Sequence, residues 1–193
     1  MHINQQMNDF VINLLKTKIP ASYYYHNHEH TLYVIDKVIE IGEQEHCSAK
    51  ELELLSAAAL WHDTGYINAY QIHEEKSCVL ARQYLPGYGY TTDDIDNICG
   101  MIMATKIPQS PQNKLEEIIA DADLEYLGTS NAAIFANHLF KELNALNPLL
   151  TEEAWNNTEI NFLTAHRYFT GYCKANKEHI KQSYLKSLIS NKA

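Results

Sequence analysis

The stretch Ser48-Ala49-Lys50-Glu51-Leu52-Glu53-Leu54-Leu55-Ser56-Ala57-Ala58-Ala59-Leu60-Trp61-His62-Asp63-Thr64-Gly65 decides the fold class. Ser48 with Glu51 three positions on has the spacing of a capping box, in which each side chain satisfies a backbone N–H that the first helical turn leaves free. Leu55, Ala58, Ala59 and His62 then fall at i, i+3, i+4 and i+7, a single helical face. An apolar helix therefore ends on an adjacent histidine and aspartate, and Gly65 stands where a left-handed terminating residue is expected.

The same helical punctuation recurs outward from this segment. Thr92-Asp93-Asp94 opens a helix with carboxylates in its first turn, which suits the helix dipole. Ser110-Pro111 offers a cap and a proline at the first helical position of a segment running to Asp123. Further helices are expected at about 6–18, 29–45, 70–85, 130–146, 152–170 and 174–190, about eight or nine in all. Breaks fall at Pro86-Gly87-Tyr88-Gly89, Lys106 to Pro111, Gly128-Thr129 and Asn147-Pro148. Strand signals are nearly absent, and there is no repeat, low-complexity tract or linker. The expected architecture is all-α, one compact multi-helix bundle over residues 1–193.

The bulk composition narrows the partners. With 15 basic and 24 acidic residues the net charge is −9, and no run of five Lys or Arg exists to offset it locally. Such a surface repels nucleic-acid backbones, so a duplex is not the expected partner. Leu54 to Trp61 is the longest apolar stretch and is far too short to span a bilayer. MHINQQMNDF has no basic start and apolar block, so no membrane association and a cytoplasmic location are expected. Cys47, Cys78, Cys99 and Cys173 form no C-x-x-C pair and read as reduced thiols.

Three segments carry the chemistry: Tyr25-His26-Asn27-His28-Glu29-His30-Thr31, Trp61-His62-Asp63-Thr64-Gly65 and Ala120-Asp121-Ala122-Asp123-Leu124. Two imidazoles and two carboxylates from these segments would make a nitrogen–oxygen site suited to a borderline divalent ion, which can acidify a bound water. Asp121 and Asp123 are two apart, so on a regular helix only one points straight at the shared centre. His138 and His166 sit among apolar neighbours and read as mid-helix packing histidines.

The order H…HD…D resembles the HD superfamily of metal-dependent phosphohydrolases, over about Tyr25 to Gly128. The resemblance implies an HD-type helical bundle whose motif-bearing core covers about 23–128, followed by C-terminal helices at about 130–190. It also implies His30, His62, Asp63 and Asp123 as ligands of one divalent ion, with Mn, Mg, Fe, Ni, Co and Zn not distinguished, and it favours Asp123 over Asp121. Tyr25-His26-Asn27-x-x-His30 is similar to the same run in cyclic-nucleotide phosphodiesterases, which implies His26 as general acid. Ala104-Thr105-Lys106 and Asp121 to Gly128 look more like an uncharacterised branch of small bacterial HD proteins, and that likeness implies Lys106 as a phosphate-binding residue. The reaction class, not the cyclic-nucleotide substrate, is therefore carried over. Some members bind a second metal through histidines after the doublet and another near the helix carrying Met101 to Thr105. None stands there, so one metal is expected, with His73 as a catalytic or supporting residue.

The expected activity is hydrolysis of a small phosphate mono- or diester, a nucleotide or related metabolite, by metal-activated water. The alternatives are a non-catalytic metal- or nucleotide-binding regulatory module and a di-iron oxygenase on the same scaffold.

Overall fold

The computed structural model describes residues 3–192; Met1, His2 and Ala193, the ends of the expected domain span, lie outside the described residues. Among these the chain forms α1 (Gln5–Lys18), α2 (His28–Gln44), α3 (Ala49–Trp61), α4 (His73–Tyr84), α5 (Thr92–Ala104), α6 (Lys114–Asp123), α7 (Ala132–Leu146), α8 (Glu152–Ala165), α9 (Gly171–Asn176) and α10 (Glu178–Lys192). Short 3₁₀ turns follow α3 (Thr64–Ile67), α4 (Leu85–Tyr88) and α6 (Glu125–Gly128), and there is no strand among the described residues. The all-α class holds, with ten helices in place of eight or nine.

The differences have local causes. α6 begins at Lys114, not after Ser110, because the Asn113 side chain accepts from Leu115 N and Glu116 N and so takes the capping role. α4 starts at His73, after a turn through Ile72, whose φ of 59° is left-handed. The helix expected at 152–170 stops at Ala165, with His166 extended beyond its end, not in mid-helix. The N–H groups of Phe169 and Thr170 go instead to buried Asp121, each at 2.8 Å. The helix expected at 174–190 is two, broken at Lys177, whose ammonium is drawn to buried Glu125.

Gly65 is not a left-handed terminator, since its φ is not positive. It lies in the 3₁₀ turn after α3, where a Cβ would stand 1.9 Å from the His73 carbonyl oxygen and 2.8 Å from Ser77 N. Glycine is needed here for close approach: Gly65 N–H donates to Ser77 Oγ at 2.8 Å, and Ser77 Oγ–H donates to His62 O at 2.5 Å. α4 is thus clamped onto the turn that carries the doublet.

α3 runs through the centre, with Leu55, Leu60 and Trp61 fully buried and α2, α4, α5 and α6 packed around it. Each such large side chain contributes about 1.5–3 kcal/mol of burial. A second apolar cluster joins Tyr25 and the Leu124–Leu127 segment to Leu163 of α8 and Leu185 of α10. The C-terminal helices are thereby packed against the end of the bundle where α2 begins and α6 ends. No helix of the described residues is long and apolar enough to cross a membrane.

Candidate metal centre

Four elements aim polar side chains at one buried spot. Asn27 caps α2 by accepting from Glu29 N and His30 N, which sets His30 in the first turn on the inward face. His62 ends α3, and its Nδ1 lies 2.7 Å from Ala59 O. That contact makes Nδ1 the donor, so that in the neutral ring the lone pair for a metal is on Nε2. Asp63 follows directly, and Asp123 is the last residue of α6.

One ligand atom each from His30, His62 and Asp123 lies within 4.8 Å of the other two. His30 Nε2 is 3.0 Å from Asp123 Oδ1 and 3.5 Å from Asp63 Oδ2. His62 Nε2 is 3.2 Å from Asp63 Oδ2 and 3.6 Å from Asp123 Oδ1. Yet His62 Nε2 and Asp63 Oδ2 are buried without a hydrogen-bond partner, so they converge on a shared space more than on each other. At His30 the unpartnered atom is Nδ1, Nε2 being the one facing Asp123.

Unpartnered buried polar atoms are destabilising by about 1–3 kcal/mol each. A divalent ion with nitrogen and oxygen preferences fits this donor set and would satisfy it. The electrostatics agree. Burial alone would raise Asp63 and Asp123, but the imidazoles of His62 and His30 outweigh it and hold both carboxyls well below the usual range. Burial would lower His62, and Asp63 and Asp123 together raise it instead.

The other expected site residues fall around this spot. His26 Nδ1 lies 2.5 Å from Glu142 Oε1. Glu142 is fully buried; its Oε2 accepts from Tyr25 N at 2.9 Å and His26 N at 3.0 Å, and its Oε1 accepts from Tyr70 Oη at 3.1 Å. With Nδ1 committed, Nε2 is the His26 nitrogen available to the cavity that the ring lines. His73 stacks on Tyr66 at 3.9 Å, and its Nε2 is 3.7 Å from Asp63 Oδ1, the oxygen nearer α4. Lys106 lines the same cavity but is paired with Glu75. Asp121 is turned away from the spot and accepts from Phe169 N, Thr170 N and Thr170 Oγ1.

Sequence reasoning missed Glu142. Its signal was present: Phe135, Leu139 and Glu142 fall at i, i+4 and i+7, which sets a carboxylate on the apolar face of α7. It also missed the extent of the cavity, about 530 Å³, which continues past the polar residues between α7 and α8.

A family model described as the HD domain matches residues 27–125. No curated protein matches the chain. Among solved structures, a predicted HD superfamily hydrolase from an uncultured Thermotogales bacterium is similar over 99% of this chain and 95% of its own, at 17% identity and a TM-score of 0.61. Bacillus subtilis YpgQ in complex with ADP is similar over 96% of this chain and 93% of its own, at 17% identity and a TM-score of 0.66. At such identity the likeness speaks for the shared fold.

Proposed function

The chain belongs to the HD-domain family, and from that premise we propose that it is a metal-dependent phosphohydrolase acting on a small phosphate ester. The observation that carries this reading is the convergence of His30, His62, Asp63 and Asp123 on one buried spot beside an imidazole backed by a carboxylate.

These four residues would hold the ion. A bound divalent ion supplies Lewis acidity toward a phosphoryl oxygen and lowers the pKa of a water. His26 donates the Nε2 proton to the departing oxygen, and Glu142 fixes the ring and stabilises its protonated form. Help of this kind is worth ~10²–10⁴ in rate. His73, on the far side of Asp63, turns its Nε2 toward that carboxylate while its Nδ1 faces the Tyr70 carbonyl, and acts as a positioning residue. Lys106 meets the phosphate at the mouth once it leaves Glu75. The ADP bound to the Bacillus subtilis neighbour keeps nucleotides among the compounds to be tried.

The test is metal content of the purified protein by mass spectrometry, followed by a phosphate-ester screen with Mn, Mg, Fe, Co, Ni and Zn. Bound divalent metal with turnover of at least one ester supports the reading. Turnover of none, with every ion, overturns it.

A further inference from the structure

The cavity is far larger than the chemistry requires. Its volume is about 530 Å³, against roughly 30 Å³ for one water in the liquid. His26, Asp63, His73 and Asp123 occupy one end; Leu127, Ala136, Leu139, Leu143, Trp155 and Phe162 wall the rest. These apolar walls come from the 3₁₀ turn after α6 and from α7 and α8, elements outside the 27–125 family match but for the first residue of that turn. Concave apolar surface held open to water is unfavourable by about 25 cal/mol per Å². An apolar hollow with polar groups gathered at one end has the character of a ligand pocket.

The charge balance limits what enters. Among the described residues lining the cavity, Lys106 is the sole Lys or Arg, and Glu75 already engages it. Carboxylates of Asp63, Glu74, Asp123 and Glu159 line it as well. A di- or triphosphate would need additional cationic clamps for its extra charges. At the apolar end Glu159 is largely buried and accepts from Tyr184 Oη at 2.6 Å, which disfavours a second anionic group there. Sugar hydroxyls would find few partners along these walls, and each one left unpaired is unfavourable by about 1–3 kcal/mol.

We propose that the substrate carries one phosphoryl group at the polar end and an apolar, ring- or chain-sized group lying between α7 and α8. The inference rests on the phosphohydrolase reading of the polar end. α7 serves both ends: Leu139 and Leu143 wall the hollow while Glu142, between them, holds His26. An aryl group and an alkyl chain share this chemistry.

Binding of non-hydrolysable phosphonates to the full chain supplied with Mn²⁺, measured by calorimetry, tests it. Methylphosphonate, 1-naphthylmethylphosphonate and hexylphosphonate are compared with AMP, ADP and glucose 6-phosphate. The naphthylmethyl or hexyl compound is expected to bind about 10-fold or more tighter than methylphosphonate, as one well-buried apolar group provides. Whichever of the two binds tighter identifies the apolar group as aryl or alkyl. Trp155→Ala and, separately, Ala136→Phe, which narrows the hollow, should each collapse that ratio. Equal affinities throughout, no binding by any compound, or tighter binding of AMP, ADP or glucose 6-phosphate overturns the proposal. Selective binding with no ester hydrolysed keeps the pocket and removes the hydrolase reading; hydrolysis without apolar selectivity does the reverse.

Discussion

Glu142 holds His26 from behind with both oxygens, Oε1 lying 2.5 Å from the imidazole Nδ1 and Oε2 accepting the backbone N–H of His26 at 3.0 Å. The residue that would donate a proton is therefore positioned by a helix 116 positions away in sequence. Glu142→Gln offers one oxygen where two are used. If that oxygen stays with the backbone N–H groups, the amide N–H faces Nδ1 and nothing stabilises a protonated ring. The expected result is a kcat loss of about 10-fold or more, below the ~10²–10⁴ of losing the acid outright. Metal content by mass spectrometry should not change. Wild-type kcat in this variant would remove the positioning role.

His26→Ala separates proton donation from metal binding. A poor leaving alcohol needs its proton in the transition state, whereas an activated phenolate does not. The expected kcat loss is ~10²-fold or more on an alkyl phosphate, shrinking markedly on para-nitrophenyl phosphate, with metal retained. Equal losses on the two substrates would leave His26 as a positioning residue only.

The aspartates should separate by what they touch. Asp63→Ala and Asp123→Ala each remove a carboxylate within 3.6 Å of both buried imidazoles, and are expected to lose metal and activity while keeping helical content. Asp121→Ala strands the N–H groups of Phe169 and Thr170 and the Thr170 hydroxyl, at about 1–3 kcal/mol for each group left without water or another partner. Urea denaturation should show Asp121→Ala destabilised with metal still bound. A metal-free Asp121→Ala beside a metal-replete Asp123→Ala would exchange their roles.

The legible parts of this molecule were the local ones. The Ser48 and Glu51 capping box and the apolar face ending at His62 are short-range patterns, and both bonds of the box form. The start of α6 was misread because Ser110-Pro111 and Asn113 are competing caps only a few residues apart, and Asn113 satisfies two N–H groups. Glu142 and the apolar walls were hidden for a different reason. Leu139, Leu143 and Phe162 have the spacing of ordinary core residues, and nothing local says that they face a cavity. They come to line the cavity only when α7 and α8 fold back over the motif-bearing helices.

Gly65→Ala tests the clamp between α4 and the doublet. The new Cβ would stand 1.9 Å from the His73 carbonyl oxygen, which is backbone and cannot swing aside. α4 must shift, carrying His73 away from Asp63, with an expected loss of about 1–3 kcal/mol or more in urea denaturation. Gly87→Ala is the control, because its Cβ would meet nothing within 4 Å. Equal stabilities of the two variants would show that the approach at Gly65 is not tight in solution.

His166, remote from the candidate centre, should make stability depend on pH. Burial, and after it the Lys181 ammonium, lower its pKa from 6.5 to about 4. Lys181 donates to His166 O at 2.6 Å and lies 3.2 Å from Nδ1, Glu178 pairs with Lys181 at 3.0 Å, and Tyr168 packs edge-on against the ring. Nδ1 accepts from the Lys181 ammonium, so a proton gained there would face a like charge at short range. The folded state thus disfavours protonation and the unfolded state does not. The contribution is fully present above about pH 6.5 and is lost as pH falls toward about 4. Its ceiling is about 3 kcal/mol, reduced by the partial exposure of the ring. Urea midpoints at about pH 7 and about pH 4.5 should fall further for the wild type than for His166→Gln, which cannot titrate. Carboxylates titrate in the same window but are common to both proteins and cancel in the difference. Identical falls for the two would mean that His166 titrates as it does in the unfolded chain.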